Sequence, residues 1–372
     1  MKQQRTWRTV LTWTAALGLA VILLAPIWVL WWGPSKWTRH VYQEMSFRLI
    51  AERVLPTSGD EAIVYSAMNY TRRHLWLIDA VQPYDGQPID YLVEGVGWCD
   101  YHAKVFCRLL AERGLHARYV FLKDQHGQSP HTIAEVRIQG RWRAVDPFFN
   151  LIYVQSAEWQ QLEQVTPDLV ERLPELQLLK AESGNAKDQI LHLARETFPL
   201  RLEPIRSHDF MTNRHPFDAI ADAYVMVFGK PFARWYQDAY LRRVLATEQN
   251  QGKALWIRAR HYHLYGRLDE AAGCYRQLLA STKSEPYHER TVLFFSRLLT
   301  QQGATAEARA LLETFVRRQP QARWAQFQLA LCCEALHDRP AAIVHFQRYQ
   351  ELHGVRLAVL VARHLASLQK SF

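Results

Sequence analysis

Three residues carry side chains that together could break or transfer an amide acyl bond: Cys99, His131 and Asp146. A thiolate attacks carbonyl carbon, an imidazole moves the proton, and a carboxylate holds the imidazole in the useful tautomer while stabilising its charged form. Cys99 follows the stretch Gly95-Val96-Gly97-Trp98, whose glycines permit a tight approach, and an apolar helical pattern starts directly after it through Ala103, Phe106, Cys107 and Leu110. The thiol is therefore expected in the first turn of a helix. There the helix dipole favours the thiolate, Asp100 opposes it, and the free backbone N–H groups are aimed where an oxyanion would develop.

The other two residues require strands. Residues 131–138 and 141–146 alternate as strands do, and Gln139-Gly140 between them suits a two-residue hairpin turn. Such a turn pairs Ile138 with Arg141, Ala134 with Val145 and Ile133 with Asp146. His131 then shares a sheet face with Asp146 as its diagonal neighbour, at ~7–8 Å between backbones, within side-chain reach. A slip of one residue would put them on opposite faces.

Other candidates are weaker. His102 lies one helical turn after Cys99 but lacks an evident orienting carboxylate, and His102, His116 and His126 all read as surface or buffering groups. Cys107, Cys274, Cys332 and Cys333 fall in apolar helical patterns, where a thiol behaves as a small hydrophobe. Five cysteines without paired spacing form neither a disulfide framework nor a zinc motif. His208, Asp209, His215 and Asp218 cluster in sequence, yet their spacing fits no standard metal site. No metal and no cofactor is expected.

Taken together, Gly97-Trp98-Cys99, Ala117-Arg118-Tyr119-Val120, the strand beginning at His131 and Gly140-Arg141-Trp142-Arg143-Ala144-Val145-Asp146-Pro147 resemble the transglutaminase-like superfamily. The likeness covers roughly residues 62–153. It implies a papain-like α+β core with Cys99, His131 and Asp146 as catalytic residues, and it includes peptidases, amidases and protein cross-linkers. Ile133 departs from the pattern, since members often carry Trp two positions after that His.

The remaining chain must position this core. Residues 9–35 contain no charge and are mostly apolar, with Trp7 before them and Trp28, Trp31 and Trp32 at their far end, which predicts a single-pass transmembrane anchor. Lys2, Arg5 and Arg8 precede it without acidic residues, which orients the body outside the cytoplasm. A net charge of +9 is scattered rather than gathered in a stripe, and this argues against nucleic-acid binding. After residue 155 the apolar spacing becomes helical. In the last third, Gly266-Arg267-Leu268-Asp269-Glu270-Ala271 recurs as Gly303-Ala304-Thr305-Ala306-Glu307-Ala308 and, more weakly, from Leu336 to Ala341, close to the ~34-residue tetratricopeptide period. The expected organisation is a basic stub and anchor (1–35), a transglutaminase-like α+β domain (36–155), a helical connection (156–250) and tetratricopeptide-like repeats (251–372).

Two functions fit. The first is a membrane-anchored cysteine enzyme acting on a protein or peptide through a thioester, with peptidase or amidase activity favoured over cross-linking, and repeats that bind a protein partner. The alternative is a non-catalytic membrane scaffold that recruits its partner through the same repeats.

Overall fold

The computed structural model describes residues 2–32, 35–76, 86–123, 129, 131–148, 151–152, 154–155, 158–159, 203–210, 216–281 and 287–352. Its contacts divide the chain into two units, Met1–Arg53 with Asn213–Gln249, and Val54–Thr212 with Asn250–Phe372.

The first unit is helical: α1 (Lys2–Trp32), α2 (Lys36–Val54) and α6 (Pro216–Thr247). α6 changes direction at Gly229, whose φ of 73° lies in the left-handed region, two residues before Pro231. Tyr42 of α2 stacks on Tyr240 at 4.3 Å, and Gln237 donates to Ser46 Oγ at 2.9 Å, so α2 and α6 share a core with a polar stitch. Among the described residues no helix is long and apolar enough to cross a membrane. The anchor expected over residues 9–35 is thus not among the observed features of the fold.

The second unit combines a sheet with helices. α3 (Asp60–His74), α4 (Pro88–Glu94) and α5 (Cys99–Ala111) precede β1 (Ala117–Lys123), β2 (His131–Ile138), β3 (Arg141–Asp146) and β4 (Leu151–Ile152). β5 (Val154–Gln155) and β6 (Glu158–Trp159) form a small separate ladder. The main sheet runs in the order β4-β3-β2-β1-β7, antiparallel throughout, and β7 is Glu203–Arg206. β7 falls inside the expected helical connection (156–250), at Pro204, one of the prolines expected to break its helices: Pro204 pairs opposite Leu122 on an edge strand, where a missing N–H is tolerated. α5 packs on β1 and β2 with one face and on α3 with another, burying Val105, Phe106, Leu109 and Leu110 completely.

Six further helices follow as three antiparallel pairs: α7 (Gln251–Leu264) with α8 (Leu268–Ala280), α9 (His288–Gln301) with α10 (Thr305–Arg318), and α11 (Arg323–Ala335) with α12 (Arg339–Leu352). Asn250 caps α7 by accepting from Lys253 N at 2.9 Å, an interaction worth about 1 kcal/mol. The array is consistent with helical repeats. The turn within each pair places a left-handed residue two positions before the second helix: Gly266 (φ 74°), Gly303 (φ 80°) and His337 (φ 60°). His337, not Leu336, therefore stands in register with the two glycines, and the fully buried counterpart of Ala271 and Ala308 is Ala342 rather than the half-buried Ala341. A histidine where two copies have glycine obscured that register, because a non-glycine residue in this conformation is uncommon.

Candidate active site

The hairpin builds one half of the site. Gln139 and Gly140 both have positive φ, 50° and 79°, the geometry that matches a two-residue turn to the strand twist. The ladder pairs Ile138 with Arg141 and Ala134 with Val145, the register such a turn dictates. His131 and Asp146 consequently meet on one face, where His131 Nε2 donates to Asp146 Oδ2 at 2.6 Å and both residues are buried. Asp146 Oδ1 accepts from Phe148 N at 3.0 Å, so both carboxylate oxygens are held. On the same face Glu135 is buried between Arg118 (2.8 Å) and Arg206 of β7 (2.9 Å), which balances its charge.

Cys99 arrives from the other side. α4 is tied at its start by Gln87 N donating to Asp90 Oδ2 at 2.8 Å and ends at Gly95 in the left-handed conformation, φ 74°. The chain then runs past Trp76, which donates to Gly95 O at 2.9 Å and accepts from Gly97 N at 2.9 Å, forming an isolated parallel bridge. A Cβ at Gly97 would lie 2.8 Å from Tyr101 Cβ, too near the backbone for simple side-chain rotation to relieve. Glycine at 97 thus lets the segment lie against the first turn of α5, whose first residue is Cys99. Cys99 is half-buried, whereas Cys107 on the core face of the same helix is fully buried.

The two halves meet at the imidazole. Burial alone would disfavour a charged His131, but the Asp146 carboxylate, its hydrogen bond and a further hydrogen bond with Cys99 outweigh this and raise the imidazole to about 10. With Nε2 committed to Asp146, Nδ1 is the atom left to address the thiol. The opposite holds for His102: burial first, then the Arg72 charge, lower it to about 3, and its Nδ1 donates to Trp98 O at 2.9 Å. A ring that stays neutral and bound to the backbone is no base, so His102 is a structural neighbour. Burial pushes the Cys107 thiol well up, which keeps it protonated.

The remaining sequence candidates lie elsewhere. His116 donates to Asp209 Oδ2 at 2.6 Å, and His208 is exposed. His126 and His215 lie outside the described residues. Asp218 pairs with His40 at 2.7 Å, and with Glu44 these offer the group of possible metal-binding atoms found among the described residues, all within 4.8 Å of one another. Within that group His40 and Asp218 share a hydrogen bond between α2 and α6. Sequence reasoning missed Phe148, whose ring stands edge-on to His102 at 5.0 Å and to His131 at 6.0 Å. Its place two residues after Asp146 was the available signal. It also missed Trp76, for which no local motif existed.

Residues 49–147 match the model of the transglutaminase-like superfamily, a span that contains Cys99, His131 and Asp146. No curated protein and no solved structure matches the chain.

Proposed function

We propose that, through its transglutaminase-like domain, the chain is a cysteine enzyme acting on amide bonds of a protein or peptide, with Cys99 as nucleophile, His131 as acid–base and Asp146 as the group that orients it. The observation carrying this reading is the buried 2.6 Å bond from His131 Nε2 to Asp146, with Cys99 as the imidazole's other hydrogen-bond partner. The Cys99 thiolate adds to the carbonyl carbon, and the carbonyl π electrons pass to oxygen, where N–H groups at the start of α5 receive them. Collapse expels the amine, which takes the proton from His131 Nδ1, and leaves a thioester. Water then gives a proton back to His131 while its oxygen attacks the thioester, releasing the acid and restoring Cys99; an amine in its place would give a cross-link. Trp98 is 42% exposed beside Cys99 and offers an apolar face to a peptide.

Alkylation by iodoacetamide tests this directly. Near neutral pH, Cys99 is expected to react at least tenfold faster than Cys107, and a Cys99→Ala variant to retain bound substrate without turnover. Equal labelling of the two thiols, with no substrate captured, would remove the enzyme reading. The scaffold reading would then stand, supported by a cavity of about 540 Å³ lined by Arg73, Arg297, Thr300, Gln301, Gln328 and Glu334, where a partner's segment would dock.

Membrane attachment belongs to the same proposal. Its support is the row of exposed apolar side chains on α1, including Leu11, Trp13, Leu17 and Val21, and a second exposed group on α6, Met226, Val227 and Phe228. The full chain should remain with membranes after alkaline carbonate, and protease added to intact spheroplasts should digest beyond Lys36. Release by carbonate would remove the anchor, and protection from protease would reverse its orientation.

A further inference from the structure

The segment that delivers Cys99 is held from far along the chain. Arg260, on α7 of the repeat array, is fully buried. Its Nη2 donates to Leu92 O at 2.7 Å, in α4, and to His74 O at 3.1 Å, at the end of α3. Those two carbonyls belong to the two segments that form the Trp76–Val96 bridge, each shortly before it in the chain. The guanidinium lies over the Phe294 ring of α9, with its carbon 3.7 Å from the centroid. The same ring abuts Gly95 so closely that a Cβ there would fall 2.6 Å from two of its atoms. A second guanidinium repeats the arrangement: Arg297 of α9 lies 3.7 Å from the Trp76 ring centroid and donates to Arg73 O. Trp76 itself is counted in the apolar core of the repeats, edge-on to Trp324 at 5.4 Å.

This is an unusual use of a buried charge. Among the described residues Arg260 donates to backbone carbonyls and pairs with no carboxylate, and the desolvation of an arginine is costly for stability alone. Its geometry instead fixes where two helix ends stand. We propose that Arg260 is a positioning residue for Cys99: it locks the ends of α3 and α4, and through the Trp76 bridge sets the first turn of α5 relative to His131. The inference rests on the acyl-transfer reading above. It makes the repeat array part of the machinery that aims the nucleophile, since displacement of α7 or α9 moves the approach to Cys99.

Arginine fits because one nitrogen serves two carbonyls while the flat face seats on Phe294; lysine retains a single reaching donor but loses the stack. The test is the pH–rate profile of iodoacetamide alkylation at Cys99 in the full chain, with Cys107 protection as the measure of an intact fold. Arg260→Gln is expected to lower the Cys99 rate about tenfold and to shift the midpoint of the profile, since small displacements at a reacting centre have effects of this size or greater. Arg260→Lys should recover part of both. A profile in Arg260→Gln identical to wild type, with Cys107 still protected, would overturn the inference. If Arg260→Gln exposes Cys107, Phe294→Leu is read in its place. It leaves the guanidinium's hydrogen-bonding nitrogens in place and removes the ring that both seats it and abuts Gly95, and an unaltered profile again overturns the proposal. Failure of the underlying reading shows separately, in wild type, as a Cys99 no faster than Cys107, and the inference falls with it.

Discussion

The β2–β3 hairpin and the Cys99 approach reach the same few cubic ångströms by opposite means. The hairpin is local: a turn with two positive φ values sets a register, and the register alone brings His131 to Asp146 across fifteen residues of chain. The approach to Cys99 is assembled from α4, the strand-like bridge at Trp76 and buried arginines of α7 and α9, whose hydrogen bonds span up to 224 residues. A local device is insensitive to what happens elsewhere in the molecule. A device built across the chain is open to adjustment, and its errors fall on the nucleophile.

That contrast can be broken most severely at the hairpin's functional end. His131→Ala is expected to cut turnover by roughly 10³-fold or more and to slow Cys99 alkylation strongly, because the group placed to take the thiol proton is gone. Measured turnover within tenfold of wild type would transfer the role to another group, and the lowered His102 excludes that ring. Asp146→Asn should leave the thiol modifiable while impairing turnover, since the amide misdirects the imidazole.

Two glycines sharpen the comparison. Gly97→Ala forces a Cβ to 2.8 Å from Tyr101 Cβ, so the first turn of α5 must shift, and Cys99 reactivity should fall by about tenfold or more. Gly140→Ala meets nothing within 4 Å, and its only cost is the left-handed φ of 79°, about 1 kcal/mol. It should lower the melting temperature by a few degrees and leave Cys99 alkylation unchanged. Similar effects on reactivity from both substitutions would erase the distinction between local and assembled halves.

A separate effect is on stability with pH. The folded value for His131 is raised to about 10 from an ordinary 6.5. Its charged form therefore stabilises the fold fully below about pH 6.5, and that contribution disappears as pH rises through 10. The melting temperature of wild type should decline across this window more than that of His131→Ala. Parallel curves would show that the ring is not charged in the folded chain.

What could be read in advance follows the same division. The start of α5 at Cys99, the hairpin register and the first two repeats rest on patterns a few residues long, and each has its counterpart in the structure. β7 could not be read, because an edge strand centred on Pro204 carries no strand-like alternation. The third repeat was misplaced by one residue, since its turn uses His337 where glycine would have announced it. Arg260 and Trp76 left no trace: a lone arginine in a helix and a tryptophan after α3 acquire meaning only when segments far apart in sequence are packed together.

β7 has one more consequence. It covers the backbone edge of β1, and Arg206 at its end helps balance the buried Glu135. Pro204 removes an amide from the ladder, which makes the completed edge a poor template for further pairing. A fragment stopping at residue 155 would lack this cover and leave the donors and acceptors of β1 open to the same strand of another molecule. Such a fragment would be inclined to self-associate in solution, however well its own hairpin formed.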